Sequence, residues 1–135
     1  MSARGSILVD SSVWIDFFAS RPGRAGNELR RLIADAEPVV LAGVIVTEVL
    51  QGLSRHADRV AHYLAQWDVL EPEGFATYMR EAEIYRSARS HGLTLTTTDV
   101  LIAALAIEHG ATLFSLDKDF ARLAELVSLR LYEAR

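Results

Sequence analysis

The stretch ILVDSSVW, residues 7–14, decides the fold because it passes from a strand pattern directly into a helix pattern. Residues 7–10 form a short apolar run rich in branched side chains, which is typical of a buried strand. Ser11 and Ser12 follow at once, and serine is a favoured N-cap residue. We therefore predict a strand that leads into a helix capped by one of these serines, with Asp10 at the junction.

The remainder of the chain continues this alternation of strands and helices. Further strands are predicted at residues 39–41, 69–70, 111–114 and 129–132. Helices are predicted at residues 29–36, 43–53, 56–66, 75–90, 97–109 and 117–124, with Thr97 or Thr98 capping the helix that ends at 109. Residues 43–53 contain several branched side chains, so a strand is an alternative to the predicted helix there. Strands that alternate with helices indicate a mostly parallel sheet covered on both faces, which is a three-layer α/β/α sandwich.

Length and composition limit the classes of protein to consider. A chain of 135 residues, half of them apolar, suits one compact domain over residues 1–135. The lack of cysteine excludes a disulfide framework, a thiolate zinc site and a cysteine nucleophile. The longest apolar stretches, 39–46 and 100–107, are far shorter than the roughly 18 residues of a membrane helix, and the N-terminus lacks a signal-peptide pattern. We expect a soluble, cytoplasmic protein without a membrane partner.

The charge of the chain bears on its partners. A net charge of -4 argues against a uniformly basic surface for nucleic acid but allows a local basic patch. Arginine supplies nearly all the positive charge, and its planar fork suits phosphate. For any single arginine, a solvated helix face is the better explanation. Arg80, Arg86 and Arg89 are our candidates for phosphate contact.

Four acidic residues lie within or directly beside apolar runs, where a charge is costly unless a cation compensates it. They are Asp10, Glu48, Asp99 and Asp117. Each aspartate taken alone is explained as a helix-terminal residue, because negative charge there stabilises a helix by about 0.3–1 kcal/mol. Glu48 resists this explanation, since it lies inside a predicted apolar helix. Asp10 and Asp117 follow predicted strands, so we expect the acids to converge at the carboxyl edge of the sheet.

Converging carboxylates repel one another and require a divalent cation or raised pKa values. All four candidates offer oxygen, and no thiol or histidine stands near them in sequence, which favours Mg²⁺ or Mn²⁺ over zinc. We predict that two or three of these carboxylates bind the metal, with Asp10, Asp99 and Asp117 as the candidates. Because Mg²⁺ usually shares its coordination with substrate phosphate, the site favours hydrolysis of phosphodiesters by metal-activated water.

Four sequence frames, VDSSVWID, TEVLQGL, TTDVLIAALA and SLDKDF, resemble in order and spacing the motifs of the PIN-domain ribonucleases. Within that family they are most similar to the VapC toxins of bacterial toxin–antitoxin pairs. The resemblance covers nearly the whole chain. It implies a PIN-like α/β/α sandwich, dependence on Mg²⁺ or Mn²⁺, and endonucleolytic cleavage of structured RNA. It also implies a homodimer that is neutralised by a small cognate antitoxin.

The resemblance extends to individual residues. It identifies Asp10, Glu48, Asp99 and Asp117 with the four acidic positions of the active site. Asp119 resembles the accessory acid that some members carry. Ser11 and Ser12 stand where the family often has threonine followed by serine or asparagine, and Ser115 stands where a hydroxyl often supports the site. Asp16, also in the first motif, we interpret as an exposed helix residue.

Two other enzyme classes lack their motifs in this chain, and two further functions stay open. A haloacid-dehalogenase-type phosphatase requires an aspartate two residues after its nucleophile, where this chain has Ser12. A phosphate-binding-loop enzyme requires a glycine-rich motif that the chain lacks. A structure-specific DNA nuclease of related fold stays open, because acids and metals do not distinguish RNA from DNA. A non-catalytic module, in which the acids accept an arginine-rich partner, is the alternative from another class.

Overall fold

A parallel β-sheet forms the centre of the structure, a computed structural model that describes residues 5–134. Its strands are β1 (Ile7–Val9), β2 (Val39–Ala42), β3 (Val69–Leu70) and β4 (Thr112–Phe114). They are arranged in the order β3-β2-β1-β4, and every pairing is parallel. β1 and β2 are buried along their whole length, which explains why their sequences are apolar without alternation. The predicted mostly parallel sheet is confirmed.

The strand predicted at residues 129–132 is reduced to a single parallel bridge between Leu113 and Leu131. Two backbone hydrogen bonds hold it, from the Leu113 N–H to the Arg130 carbonyl and from the Tyr132 N–H to the Leu113 carbonyl. The neighbouring strand β4 pairs with β1 over all three of its residues, but it pairs with this segment at Leu113 alone. The prediction of a full strand is therefore wrong.

Within residues 5–134, seven helices surround the sheet. They are α1 (Ser11–Phe17), α2 (Arg24–Ala34), α3 (Gly43–Gln51), α4 (Ala57–Leu64), α5 (Phe75–Ser90), α6 (Thr97–His109) and α7 (Asp119–Ala124). α3 is a helix despite its branched residues, and α5 has the predicted bounds. α7 begins two residues later than predicted, because Asp117 lies outside it. No helix within residues 5–134 is both long and apolar enough to cross a membrane.

The predicted serine and threonine caps are wrong at two helices. In α1 the N-cap position belongs to Asp10, whose side chain makes no capping bond, and both serines lie inside the helix. Their hydroxyls bind carboxylates instead, Ser11 to Glu48 and Ser12 to Asp10. In α6 the cap is Thr96, whose hydroxyl oxygen accepts the Asp99 N–H at 3.1 Å.

The helices form two contacting groups that cover the sheet. α1 contacts α2 and α3, and α3 contacts α4, whereas α5 packs against α6. α6 is buried at Val100 and from Ile102 to Ala106, as its apolar sequence predicts. The three-layer α/β/α arrangement is confirmed. It brings the ends of β1 and β4 next to the first turns of α1, α6 and α7, which carry most of the predicted site residues.

Candidate active site

Asp10 lies at the carboxyl end of β1 and is a buried carboxylate, with 6% of its surface exposed. Its Oδ2 accepts two hydrogen bonds, from the Ser115 hydroxyl at 2.7 Å and from the Ser12 hydroxyl at 3.0 Å. Its Oδ1 accepts no hydrogen bond from residues 5–134. One oxygen of this carboxylate is thus fixed by hydroxyl groups, and the other is left for a ligand.

The two serines also tie the β1–α1 corner to the loop after β4. The Ser12 oxygen accepts the Leu116 N–H at 3.1 Å, and the Ser115 oxygen accepts the Asp117 N–H at 3.0 Å. These bonds form because β1 and β4 are neighbours, with the Asp10 N–H donating to the Phe114 carbonyl at 2.8 Å. Each serine accepts from the backbone and donates to Asp10. The position of the Asp117 loop therefore depends on Asp10.

Glu48 approaches the same region from α3 and is half-buried. It accepts a hydrogen bond from the Ser11 hydroxyl at 3.2 Å. Burial raises the pKa of the Glu48 carboxyl, the Ser11 bond opposes that rise, and the charges of Asp10 and Asp99 add to it. Glu48, which the sequence does not explain as a helix cap, therefore lies near enough to Asp10 and Asp99 for their charges to raise its pKa.

Asp99 lies in the first turn of α6 and is half-buried. Burial raises its pKa, the Thr96 hydroxyl opposes the rise, and the charges of Asp117, Asp10 and Asp119 increase it further. Three other acids therefore contribute to the raised pKa of Asp99. The structure places five acids so that charges among them raise the pKa values of Glu48 and Asp99. They are Asp10, Glu48, Asp99, Asp117 and Asp119.

Asp117 and Asp119 lie at the solvent side of this region, where Asp117 is exposed and Asp119 half-buried. The Oδ1 of Asp117 accepts the Asp119 N–H at 2.9 Å, so Asp117 also serves the start of α7 as a helix-terminal acid would. Asp119 lies 3.9 Å from Arg122, which is a loose and exposed ion pair. The helix-terminal explanation and the site explanation both apply to Asp117.

A tighter group of potential metal ligands occurs elsewhere. Within residues 5–134, Glu73, Glu108 and His109 form the group in which three ligand atoms lie within 4.8 Å of one another, and the predicted acids are spaced more widely. Glu108 already binds the Thr77 hydroxyl at 2.8 Å and Arg80 at 3.4 Å. His109 Nε2 lies 2.8 Å from the Glu71 carbonyl. Through these partners the group connects α6 to α5 and to the segment that precedes α5.

This group also changes the interpretation of the arginine patch. All three arginines are exposed, but Arg80 is also paired with Glu108 at 3.4 Å. Arg89 donates to the Tyr85 hydroxyl at 3.3 Å. The three arginines that were predicted together therefore do not have the same surroundings.

Asp16 is not the exposed helix residue that was predicted. It is half-buried, and its carboxylate accepts the Gly23 N–H at 3.0 Å and the Gly26 N–H at 2.7 Å. It thereby satisfies backbone donors at the start of α2. Its partners are seven and ten residues away across a loop, so no local pattern indicates the contact.

Comparisons with known proteins extend over nearly the whole chain. The family model described as PIN domain matches residues 7–126. A VapC ribonuclease of Mycobacterium bovis and ribonuclease VapC11 of Mycobacterium tuberculosis are each 34% identical over 131 residues, which cover 92% of this chain and 96% of theirs.

Solved structures resemble the fold at lower identity. VapBC-1 from nontypeable Haemophilus influenzae has a TM-score of 0.74 at 18% identity and covers 95% of this chain and 97% of its own. FitAcB from Neisseria gonorrhoeae has a TM-score of 0.69 at 23% identity, with 95% and 97% covered. VapBC2 from Rickettsia felis, bound to a DNA fragment from its promoter, has a TM-score of 0.72 at 18% identity, with 94% and 97% covered.

Proposed function

The chain belongs to the PIN-domain family, and from that premise we propose that it is the endoribonuclease toxin of a bacterial toxin–antitoxin pair. The observation that carries the proposal is the convergence of Asp10, Glu48, Asp99 and Asp117 beyond the carboxyl ends of β1 and β4. Ligands of parallel sheets bind at that edge. The 34% identity to proteins named VapC ribonucleases supports the assignment.

The donor set fits a divalent metal ion. Asp10, Asp99 and Asp117 are proposed to hold Mg²⁺ or Mn²⁺, because they offer only oxygen and their charges raise the pKa of Asp99. The Oδ1 of Asp10 supports the same assignment, because it accepts no hydrogen bond within residues 5–134 and is accessible to an ion. When bound, the ion activates a water molecule for attack and offsets the negative charge of the scissile phosphate.

The chain's own residues orient this site. Ser12 and Ser115 hold Asp10 through Oδ2, and Ser11 holds Glu48. Glu48 is the proposed general base, because it lies near Asp10 and Asp99 and because burial raises its pKa. Asp119 is proposed to contribute negative charge at the margin of the site.

The substrate and partners follow from the family. We propose structured RNA as the substrate, a homodimer as the assembly and a small antitoxin as the cognate partner. VapBC-5 from Mycobacterium tuberculosis, a solved structure of similar fold, is a member of the VapBC family of toxin–antitoxin systems, which supports the pairing. Because converged carboxylates attract guanidinium groups, we expect the antitoxin to insert an arginine that competes with the metal. An antitoxin complex that retains full nuclease activity would contradict this.

Cleavage assays test the proposed function. Purified protein is incubated with a structured RNA, or with a DNA hairpin of the same sequence, in Mg²⁺, in Mn²⁺ or in EDTA. We expect metal-dependent cleavage of the RNA, its loss in Asp10→Asn and Asp99→Asn, and its retention in Glu83→Gln, a control on an exposed helical glutamate. Circular dichroism checks that the inactive variants are folded.

Each outcome of these assays has a clear meaning. Equal cleavage by wild type and Asp10→Asn would sink the assignment. Cleavage of the DNA hairpin alone would identify a DNA nuclease. A folded wild type that cleaves neither substrate but binds an arginine-rich peptide would identify a non-catalytic module.

A further inference from the structure

A pocket of about 290 Å³ opens between α5 and α6, and we name it the α5–α6 pocket. It is lined by Tyr78, Glu81, Ala82 and Tyr85 of α5 and by Thr97 and Val100 of α6. Thr97 and Val100 flank Asp99 in the first turn of α6. The pocket therefore lies within one helical turn of a residue of the proposed active site.

Two tyrosine rings at this pocket are available for stacking. Tyr78 is 52% exposed, and Tyr85 is half-buried. Within residues 5–134 neither ring packs on another ring, whereas aromatic residues of α1 and α4 pack on each other. Seven residues separate the two tyrosines, so they lie on one face of α5. Unstacked bases of RNA bind on exposed aromatic rings of this kind.

Glu81 places in the pocket wall a hydrogen-bond acceptor that has no donor within residues 5–134. Its carboxyl is half-buried, and it forms no hydrogen bond or ion pair within the described part of the chain. Burial raises its pKa, so a ligand that donates hydrogen bonds would stabilise the charged form. The two oxygens of a carboxylate match the adjacent N–H donors on the pairing edge of guanine.

Arginine side chains continue the same face of α5. Arg89 follows Tyr85 by one helical turn and donates to its hydroxyl at 3.3 Å. Arg86 is exposed and forms no ion pair within residues 5–134. Arg80, which Glu108 engages, projects from the opposite side of the helix. Arg86 and Arg89 are therefore the arginines placed to bind phosphates beside a base in the pocket.

We propose that the α5–α6 pocket binds one unstacked base of the substrate RNA, guanine by preference. Tyr78 stacks on the base, and Glu81 accepts hydrogen bonds from its edge. The inference rests on the proposed function, because it takes the substrate to be RNA. A second copy of the chain is the competing occupant, since Phe75 and Met79 extend the exposed apolar surface. The unpaired carboxylate and the arginines favour nucleic acid over that apolar partner.

Binding without cleavage tests the proposal. The probe is a short single-stranded RNA with one guanine beside a 2-aminopurine, and EDTA prevents hydrolysis. We expect Tyr78→Ala to raise the Kd about 5-fold to 100-fold, the range that stacking on one aromatic ring supports. Tyr78→Phe should bind as wild type, because it retains the ring. Phe75→Ala, which removes an exposed ring of the same helix outside the pocket, is the matched control and should leave the Kd unchanged.

A second arm tests recognition of the base edge. We expect wild type to bind the guanine probe more tightly than a probe with uracil in its place, and Glu81→Gln to lose that difference. Retention of the full guanine preference in Glu81→Gln would refute the role of this carboxylate.

The outcomes also separate the two occupants and the two proposals. Equal affinity of wild type and Tyr78→Ala, or no binding by wild type, would overturn the base pocket. If Tyr78→Ala and Phe75→Ala both lower the sedimentation coefficient and neither changes RNA affinity, the face joins two copies of the chain and the proposal is wrong. Failure of the proposed function is a different result, namely a wild type that cleaves no RNA in metal.

Discussion

Asp10 is held by hydroxyl groups rather than by a cationic side chain. Ser12 and Ser115 both donate to Oδ2, and each accepts a backbone N–H from the loop after β4. Because that acceptance uses the hydroxyl oxygen, the hydroxyl proton of each serine points towards Asp10. Such outer contacts orient a carboxylate and leave its second oxygen for a ligand. The two serines are therefore positioning residues.

Replacement of Ser115 measures this positioning. Ser115→Ala removes the 2.7 Å bond to Asp10 and leaves the Asp117 N–H without its acceptor. We expect the free energy of unfolding to fall by about 1–2 kcal/mol and metal affinity to fall about 10–100-fold. Chemical denaturation and calorimetric titration with Mn²⁺ measure the two effects. Ser115→Thr keeps the hydroxyl and should restore both, whereas unchanged metal affinity in Ser115→Ala would refute a positioning role.

Glu48 makes the stability of the metal-free protein depend on pH. Its folded pKa is raised above the usual 4.5, first by burial and then by Asp10 and Asp99, with Ser11 opposing. The folded protein therefore binds this proton more tightly than the unfolded chain does. Stability then falls as the pH rises from 4.5 through the folded pKa, and the full cost is present above that pKa.

Glu48→Gln should therefore stabilise the metal-free protein while abolishing cleavage. The amide keeps an oxygen for the Ser11 hydroxyl and removes the charge. We expect Tm in EDTA at neutral pH to rise by about 1–3 °C, with a smaller decline in Tm as the pH increases from 4.5. Thermal scans over a pH series measure this, with Glu83→Gln as the control. A lower Tm for Glu48→Gln at neutral pH would show that the charge is compensated within the protein.

At the scale of elements, the periodicity of apolar residues predicted where the helices lie, whereas the sequence did not reveal which hydrogen bonds the side chains form. α5 has its predicted bounds because the helical pattern ends before Gly92, which has positive φ. The predicted serine cap of α1 is wrong because the Ser11 hydroxyl donates a hydrogen bond to Glu48, 37 positions away, and local sequence does not reveal such a partner. The segment 129–132 has a strand-like sequence, but it pairs with β4 at a single bridge, and local sequence does not show how far a segment beside an outer strand pairs.

The contact between α1 and α2 depends on a glycine. A Cβ on Gly26 would lie 2.8 Å from backbone atoms of Asp16 and Phe17, which are unable to move aside as a side chain can. We expect Gly26→Ala to lower the free energy of unfolding by about 1–3 kcal/mol through overpacking. Gly43→Ala is the matched control, since a Cβ there meets nothing within 4 Å and alanine favours a helix. Urea denaturation measures both, and equal stabilities of the two variants would contradict the close approach.

At the scale of the whole molecule, charge is separated between two neighbouring surfaces. The chain carries a net charge of -4. The predicted site acids lie beyond β1 and β4, and Arg86 and Arg89, which form no ion pair within residues 5–134, lie on the adjacent face of α5.

The sequence predicted that Asp10, Glu48, Asp99 and Asp117 converge where strand ends and helix starts meet. In the structure, burial and then the charges of neighbouring acids raise the pKa values of Glu48 and Asp99. The sequence did not predict the group at Glu73, Glu108 and His109, because that group forms only when α6 packs beside α5.

The presence of two acidic groups makes the location of a metal ion testable. An ion that binds only the folded protein stabilises it by about 2.7 kcal/mol at 100 times its Kd, which corresponds to a rise in Tm of about 5–10 °C. We expect Mn²⁺ to produce this rise in wild type and in Glu73→Gln, and to produce almost none in Asp10→Asn. Differential scanning calorimetry with and without Mn²⁺ measures the three proteins. The reverse pattern, with the rise lost in Glu73→Gln and kept in Asp10→Asn, would place the ion at Glu73, Glu108 and His109. It would also remove the metal argument from the proposed nuclease site.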